Sequence, residues 1–184
     1  MAKGNLFIFV EGNDDQRFFR KIIEPKMNQK VKYIQYAQLK KKIVINYLKT
    51  IQNSKNDDYI FVADLDDLPG PSAKIKWIRN KFEQLRDRKV ITLPNKYIAI
   101  VIIEIESWYI AGMPDLFAIE NRMDPIKNSE WITKEIFNNY FHGKFRSRID
   151  FMQELLKNYA YDAALEKNRT LQYVQLSLLV IRNY

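Results

Sequence analysis

The stretch that decides the fold is Asn5–Gly12, NLFIFVEG, in which a continuous apolar run ends abruptly at Glu11-Gly12. Such a run, bounded by a turn residue, is typical of a strand buried on both faces of a parallel sheet. The residues that follow predict a helix, because Asn13 suits an N-cap, acidic residues fill the first turn and the helix stops before Pro25. Its apolar stripe comprises Phe18, Phe19, Ile22 and Ile23.

The alternation of strand and helix continues through the first 112 residues and then stops. Further strands are predicted at 31–36, 59–63 and 97–103, and helices at 39–51 and 72–87. This order predicts an α/β, Rossmann-like fold with a mostly parallel four-stranded sheet and helices on both faces. Amphipathic stretches at 131–141, 149–159 and 171–181 predict a helical C-terminal extension. We therefore expect one domain over residues 1–112 and the extension over 113–184.

The composition excludes several kinds of site. The chain of 184 residues contains no cysteine, so it holds no disulfide, thiolate zinc site or cysteine nucleophile. It contains one histidine, His142, which excludes a multi-histidine metal site, and no G-x-S-x-G motif accompanies it. The first apolar run is too short for an export signal or a membrane span, so we expect a cytoplasmic protein with no membrane partner.

The net positive charge of the chain comes entirely from its first half. The net charge is +8, and residues 1–92 hold 19 Lys and Arg against 11 Asp and Glu, whereas residues 93–184 hold 11 of each. An uneven distribution of this kind is expected if one face meets a polyanion, and a compositional bias toward lysine explains it equally well. The candidate nucleic-acid-binding residues on the helix predicted at 72–87 and just beyond it are Lys74, Arg79, Lys81 and Arg88. A solvated helix face is the open alternative for them, and we expect Trp77, Trp108 and Trp131 to serve packing rather than base stacking.

Acidic residues follow three of the four predicted strands. Glu11 follows the first, Asp64, Asp66 and Asp67 follow the third, and Glu104 and Glu106 follow the fourth. Because parallel strands place their carboxyl ends at one edge of the sheet, these side chains are expected to converge. Converging carboxylates repel one another unless a cation neutralises them, and oxygen ligands suit Mg²⁺ or Mn²⁺. The alternative for each acid is that it caps the next helix or shapes a turn.

Two segments resemble the Toprim domain, which topoisomerases, bacterial primases, recombination mediators and OLD-family nucleases share. They are residues 9–19, FVEGNDDQRFF, and Asp64-Leu65-Asp66, which stand in the strand-Glu-Gly and strand-Asp-x-Asp order of that domain. The form V-E-G-x-x-D-x-x-F-F looks most like the OLD-type and small stand-alone proteins. Residues 103–108, IEIESW, are similar to an E-x-E-x-W segment of small bacterial Toprim-like proteins. The resemblance covers residues 5 to about 112.

The resemblance implies a role for each matching acid. Glu11, Asp64 and Asp66 would be catalytic, with Glu11 as the proton-transfer group. The implied metal ligands are Glu11, Asp15, Asp64, Asp66 and Glu106, with Glu104 as the alternative to Glu106. OLD nucleases also carry a late catalytic lysine, for which Lys144 and Lys167 are unaligned candidates.

The implied function is Mg²⁺-dependent (or Mn²⁺-dependent) hydrolysis of nucleic-acid phosphodiester bonds by a Toprim-like catalytic domain. DNA is the favoured substrate over RNA, and the protein would act as part of an OLD-like phage-defence system. No Walker A motif occurs, so we expect any ATPase partner to be a separate subunit, and a homodimer is open. One alternative is a non-catalytic module that binds nucleic acid or a partner. A haloacid-dehalogenase-type phosphatase is a weaker one, because Leu68 stands where that family has Thr or Val and Glu11 would have no role.

Overall fold

The computed structural model of the chain describes residues 4–86, 89–141 and 144–182. The chain divides into two compact units, the first made of residues 1–100 and 177–184 and the second of residues 101–176. The boundary expected at residue 112 concerned folding domains, and it stays a prediction.

The first unit contains a four-stranded, all-parallel sheet in the order β2-β1-β3-β6. A short antiparallel hairpin of β4 and β5 accompanies it. These findings confirm the predicted α/β, Rossmann-like fold with a helical C-terminus. The elements are β1 (Asn5–Val10), α1 (Asn13–Phe18), β2 (Lys30–Gln35), α2 (Lys41–Asn53), β3 (Asp58–Asp64), α3 (Pro71–Phe82), β4 (Gln84–Arg86), β5 (Lys89–Ile91) and β6 (Ile98–Val101).

Apolar residues cover both faces of the central strands. Phe9 of β1 and Phe61 of β3 stack at 4.3 Å between ring centroids and belong to a core that α2 and α3 complete. Their neighbours Ile8 and Ile60 point to the opposite face, since successive side chains alternate, and both are fully buried. Burial on both faces explains why these strands read as continuous apolar runs instead of alternating patterns.

Two predicted elements end earlier than their apolar patterns suggest. The helix expected to reach residue 87 ends at Phe82, because Glu83 adopts an extended conformation, and the chain continues into the β4–β5 hairpin. The strand expected at 97–103 ends at Val101. Ile103 has a φ of 66°, in the left-handed region, which is rare for a β-branched residue and incompatible with a strand.

The helix after β1 begins one residue earlier than expected and changes type before it ends. Gly12, not Asn13, is the N-cap, and Asp15 closes a capping box by accepting a hydrogen bond from the Gly12 N–H. The helix continues as a π-helical turn over residues 19–23 and a 3₁₀ turn over 24–26 that contains Pro25. The predicted apolar stripe is buried throughout.

The second unit is helical over its described residues. Its helices are α4 (Glu106–Ala111), α5 (Asp115–Glu120), α6 (Lys134–Tyr140), α7 (Arg148–Lys157), α8 (Tyr161–Lys167) and α9 (Arg169–Arg182), the last of which ends among residues grouped with the first unit. Helix α6 falls within a predicted amphipathic stretch, and α7 and α9 overlap the other two and begin one and two residues earlier, whereas α4, α5 and α8 were not predicted. Gly112 lies so close to the Tyr159 ring that a Cβ would come within 2.2 Å of it, so only glycine fits there. No helix in the described part of the chain has the length and apolar character needed to cross a membrane.

Candidate functional site

Glu11 lies at the carboxyl end of β1 and has two polar partners. The Tyr36 hydroxyl donates a hydrogen bond of 2.7 Å to Glu11 Oε1. The Lys74 ammonium lies 3.2 Å from the same oxygen. The Glu11 side chain is 25% exposed, so it is held in place by the protein and still reaches solvent. A carboxylate held in this way suits proton transfer or metal binding.

The buried hydroxyl of Tyr36 brings three of the predicted acids into one electrostatic neighbourhood. Tyr36 follows β2 directly and is 2% exposed. Burial raises the pKa of Tyr36 well above its ordinary value, the charge and hydrogen bond of Glu11 raise it further, and the charges of Asp15 and Asp64 add to the effect. The hydroxyl therefore stays protonated and donates to Glu11, and the negative charges of Asp15 and Asp64 lie near enough to act on it.

Lys74 adds Asp66 to this group. Its ammonium donates a hydrogen bond to Asp66 Oδ2 and pairs with Glu11, although the lysine side chain is only 3% exposed. Asp66 sits in a turn with a φ of 51°, a conformation that aspartate tolerates better than most residues. We call Glu11, Asp15, Tyr36, Asp64, Asp66 and Lys74 the strand-end cluster.

Asp15 also has a structural function. It is 4% exposed, and its Oδ2 accepts the Gly12 N–H at 2.9 Å, which caps α1. Asp14 pairs with Arg17 on the same helix. Asp15 therefore caps α1 in addition to acting on the Tyr36 hydroxyl through its charge.

Glu106 and Glu104 belong to the second unit, where each has a local partner. Arg148 donates a hydrogen bond to Glu106, which is 4% exposed, and the Lys134 backbone N–H donates to Glu104. Lys167, a candidate for the late lysine, pairs with Asp115 at 3.3 Å. The other candidate, Lys144, donates to Asn121 at 2.9 Å.

Two of the four basic residues expected to bind nucleic acid have partners within the protein itself. Lys74 is buried in the strand-end cluster, and Arg79 donates to the Leu93 carbonyl at 2.8 Å. The Lys81 ammonium lies 4.3 Å from the centroid of the Trp77 ring. Arg88 lies outside the described residues.

The three tryptophans, all expected to serve packing, differ in how deeply they are buried. Trp108 is fully buried and donates to Thr170 Oγ1 at 2.9 Å. Trp77 and Trp131 are 41% and 49% exposed. Trp77 and Trp131 therefore lie outside the buried core, and the expectation that they serve packing stays a prediction.

The donor chemistry of the strand-end cluster fits a hard divalent ion. Glu11, Asp15, Asp64 and Asp66 supply carboxylate oxygens, the ligands that Mg²⁺ and Mn²⁺ prefer. Within the three described ranges, no three acidic, histidine or cysteine side chains stand close enough together to enclose an ion. Glu11 and Asp66 are instead engaged by the Lys74 ammonium. An ion bound by those two carboxylates would therefore compete with Lys74.

Sequence reasoning missed Tyr36 and did not predict the ion pairs of Lys74 with Glu11 and Asp66, while nucleic-acid binding by Lys74 stays a prediction. Tyr36 could have been found by extending the strand-end rule from acids to every polar residue that follows a strand. Lys74 lies four residues after Gly70 and one helical turn into α3, a position from which a long side chain reaches back to the sheet edge. Nothing in the spacing distinguishes it from Lys76, which is exposed.

We expect Lys74→Met to destabilise the first unit by about 2 kcal/mol, because two carboxylates lose a charged hydrogen-bond partner. Urea denaturation at neutral pH measures this. Lys76→Met is the matched control on the same helix and should change stability by less than about 0.5 kcal/mol. Equal effects of the two substitutions would contradict the ion pairs.

The difference in stability between wild type and Lys74→Met should decrease at high pH. Burial lowers the pKa of Lys74, but the hydrogen bond to Asp66 and the charges of Glu11 and Asp66 raise it more, so the net pKa lies above the ordinary 10.5. The contribution of Lys74 is therefore fully present below that ordinary value and is lost as the pH rises through the folded-state pKa. The gap between wild type and Lys74→Met should close only in strongly alkaline solution.

Comparison of the chain with protein-family models, curated proteins and solved structures finds no match. The function is therefore inferred from the residues of this chain, among which the strand-end cluster has the most distinctive chemistry.

Proposed function

We propose that this protein is a Mg²⁺- or Mn²⁺-dependent nuclease of Toprim type, which hydrolyses phosphodiester bonds in nucleic acid, with DNA favoured over RNA. The observation that carries the proposal is the Glu11 carboxylate at the carboxyl end of β1, which accepts a hydrogen bond from the Tyr36 hydroxyl and pairs with Lys74, the partner that it shares with Asp66. The positive excess of the first 92 residues supports it, because a polyanionic substrate must approach these carboxylates.

In the described ranges no three acids stand close enough together to enclose an ion, so Glu11, Asp64 and Asp66 would hold the metal ion after they move closer and Lys74 releases Glu11 and Asp66. When bound, the ion supplies polarisation of the phosphate and a more acidic attacking water. Glu11 accepts the proton of the attacking water as the new P–O bond forms, and the leaving oxygen takes a proton from solvent as the old P–O bond breaks. Tyr36 is a positioning residue, since its hydroxyl fixes the orientation of the Glu11 carboxylate.

A non-catalytic module that binds nucleic acid is the second candidate. The engagement of Glu11 and Asp66 by Lys74 favours it, because a site neutralised by its own lysine does not require a metal ion. Such a module would bind nucleic acid with strong salt dependence and no response to divalent ions. The OLD-like defence role, a separate ATPase subunit, a homodimer and a cytoplasmic location stay predictions.

We expect purified protein to cleave nucleic acid only when Mg²⁺ or Mn²⁺ is supplied. The assay incubates it with plasmid, with end-labelled single-stranded DNA and with RNA, in the presence of Mg²⁺, Mn²⁺ or EDTA. Products should form with either metal ion, and EDTA should abolish them. Cleavage that survives EDTA would contradict the metal-dependent mechanism. Binding without cleavage under every condition would favour the second candidate.

A further inference from the structure

Trp77 is an exposed aromatic ring flanked by lysines. It lies in the middle of α3 and is 41% exposed. The Lys81 ammonium is 4.3 Å from the ring centroid, and the Lys74 ammonium is 5.1 Å from it. A single exposed apolar ring is common on protein surfaces, but a ring flanked by cations is the combination with which proteins bind anionic ligands that contain planar rings.

Lys74 connects this ring to the strand-end cluster. The same ammonium that approaches Trp77 pairs with Glu11 and Asp66. Lys74, Trp77 and Lys81 recur at helical intervals of three and four residues, so they share one side of α3. Along this side of α3, the carboxylates of Glu11 and Asp66 are followed by the buried Lys74 ammonium. The exposed Trp77 ring and the partly exposed Lys81 come next.

We propose that Trp77 is a stacking platform for an unpaired base of single-stranded nucleic acid, with Lys81 contacting the adjacent backbone phosphate. The proposal rests on the nucleic-acid substrate of the proposed function and specifies its strand state. Aromatic side chains bind single strands by stacking on base faces, and cations beside them follow the backbone. In a duplex those base faces are covered by neighbouring base pairs, so Trp77 would not reach them.

Binding of a short single strand in the absence of divalent ions tests this directly. The probe is a fluorescein-labelled oligo-dT of about 12 nucleotides, titrated in EDTA at fixed salt and followed by anisotropy. Trp77→Ala should weaken binding about 5- to 100-fold, the loss expected for one stacked base. Trp77→Phe, which keeps a ring, should retain most of the affinity. Trp131→Ala removes a similarly exposed ring from the second unit and should change the affinity less than about twofold.

Two further measurements separate stacking from general attraction and from misfolding. Binding of a labelled duplex of the same length should respond to Trp77→Ala by less than about twofold, because phosphate contacts dominate there. In a Trp131→Phe background, addition of oligo-dT should quench tryptophan fluorescence, since Trp77 is then the exposed indole in the described part of the chain.

Specific results would overturn the inference. One is an equal loss of single-strand affinity in Trp77→Ala and Trp131→Ala. Another is an equal loss of affinity for single strand and duplex in Trp77→Ala. The third is the absence of single-strand binding by the wild type. These outcomes are distinct from failure of the nuclease proposal, because the binding assay involves no turnover. A Trp77-dependent single-strand binder that never cleaves would leave the inference intact and refute the nuclease.

Discussion

Asp64→Asn is expected to reduce metal-dependent cleavage by about a thousandfold while leaving the protein folded. Asparagine keeps the shape of the side chain at the end of β3 but removes one of the charges around Tyr36. Loss of a charged ligand removes several kcal/mol of transition-state stabilisation, which corresponds to three powers of ten in rate. Steady-state cleavage of labelled single-stranded DNA at saturating Mg²⁺ measures the change.

The stability of Asp64→Asn, unlike its activity, should be unchanged or higher than that of the wild type. Asp64 shares its surroundings with Glu11 and Asp15, and removing one of several crowded like charges relieves repulsion. Thermal denaturation of Asp64→Asn should therefore give a Tm equal to or above that of the wild type. A loss of activity combined with unchanged or higher stability is typical of a residue retained for chemistry at a cost in stability.

The matched control is Asp67→Asn, which removes an exposed acid three residues further along the chain, in the turn that follows β3. It should retain the wild-type cleavage rate within about twofold, since it has no place in the strand-end cluster. Wild-type activity in Asp64→Asn, or equal losses in the two variants, would remove Asp64 from the proposed active site.

The sheet could be predicted because its physical signal is local. Runs such as Phe7–Val10 and Tyr59–Ala63 are apolar at every position, which only burial on both faces of a sheet or in a core explains. The strand-end rule then places polar residues from adjacent strands at one edge. That rule needs no side-chain detail, so the neighbourhood of Glu11 and Asp64 was predictable from topology alone.

Side-chain partners could not be predicted, because they depend on contacts between distant segments. The apolar pattern of α3 continues past its true end, and the hairpin that replaces it depends on pairing between Gln84–Arg86 and Lys89–Ile91. In the sequence, nothing distinguishes Lys74 from the other lysines of this basic helix. Its ion pair forms because the turn at Asp66 places a carboxylate within reach of its ammonium group. Sequence periodicity predicts which face of a helix is apolar, but it does not predict which partner each charged side chain contacts.

Glu106 is another residue whose partner could not be predicted from the sequence. That partner is Arg148, and its substitution is the second change for which we expect a large effect. Arg148→Met is expected to destabilise the second unit by about 3–5 kcal/mol, because it removes a cation that hydrogen-bonds a carboxylate only 4% exposed. The guanidinium also lies 5.4 Å from the centroid of the Phe137 ring, so packing is lost together with charge. Urea denaturation, followed by circular dichroism, measures the loss.

The control is Arg146→Met, which removes an exposed guanidinium two residues earlier and should cost less than about 0.5 kcal/mol. A double-mutant cycle with Glu106→Gln then isolates the pair. If the two side chains stabilise each other, Arg148→Met in the Glu106→Gln background should cost at least about 1 kcal/mol less than in the wild type. Additive losses would instead show that the two side chains act independently.

The cycle also decides between the two roles open to Glu106. A residue that only binds metal would lose activity in Glu106→Gln with little change in stability, and Arg148→Met would not alter that loss. A residue retained for the ion pair would lose stability in a way that depends on Arg148. The burial of Glu106 and its hydrogen bond from Arg148 favour the second result, since a carboxylate so shielded from water requires its charge partner to remain folded.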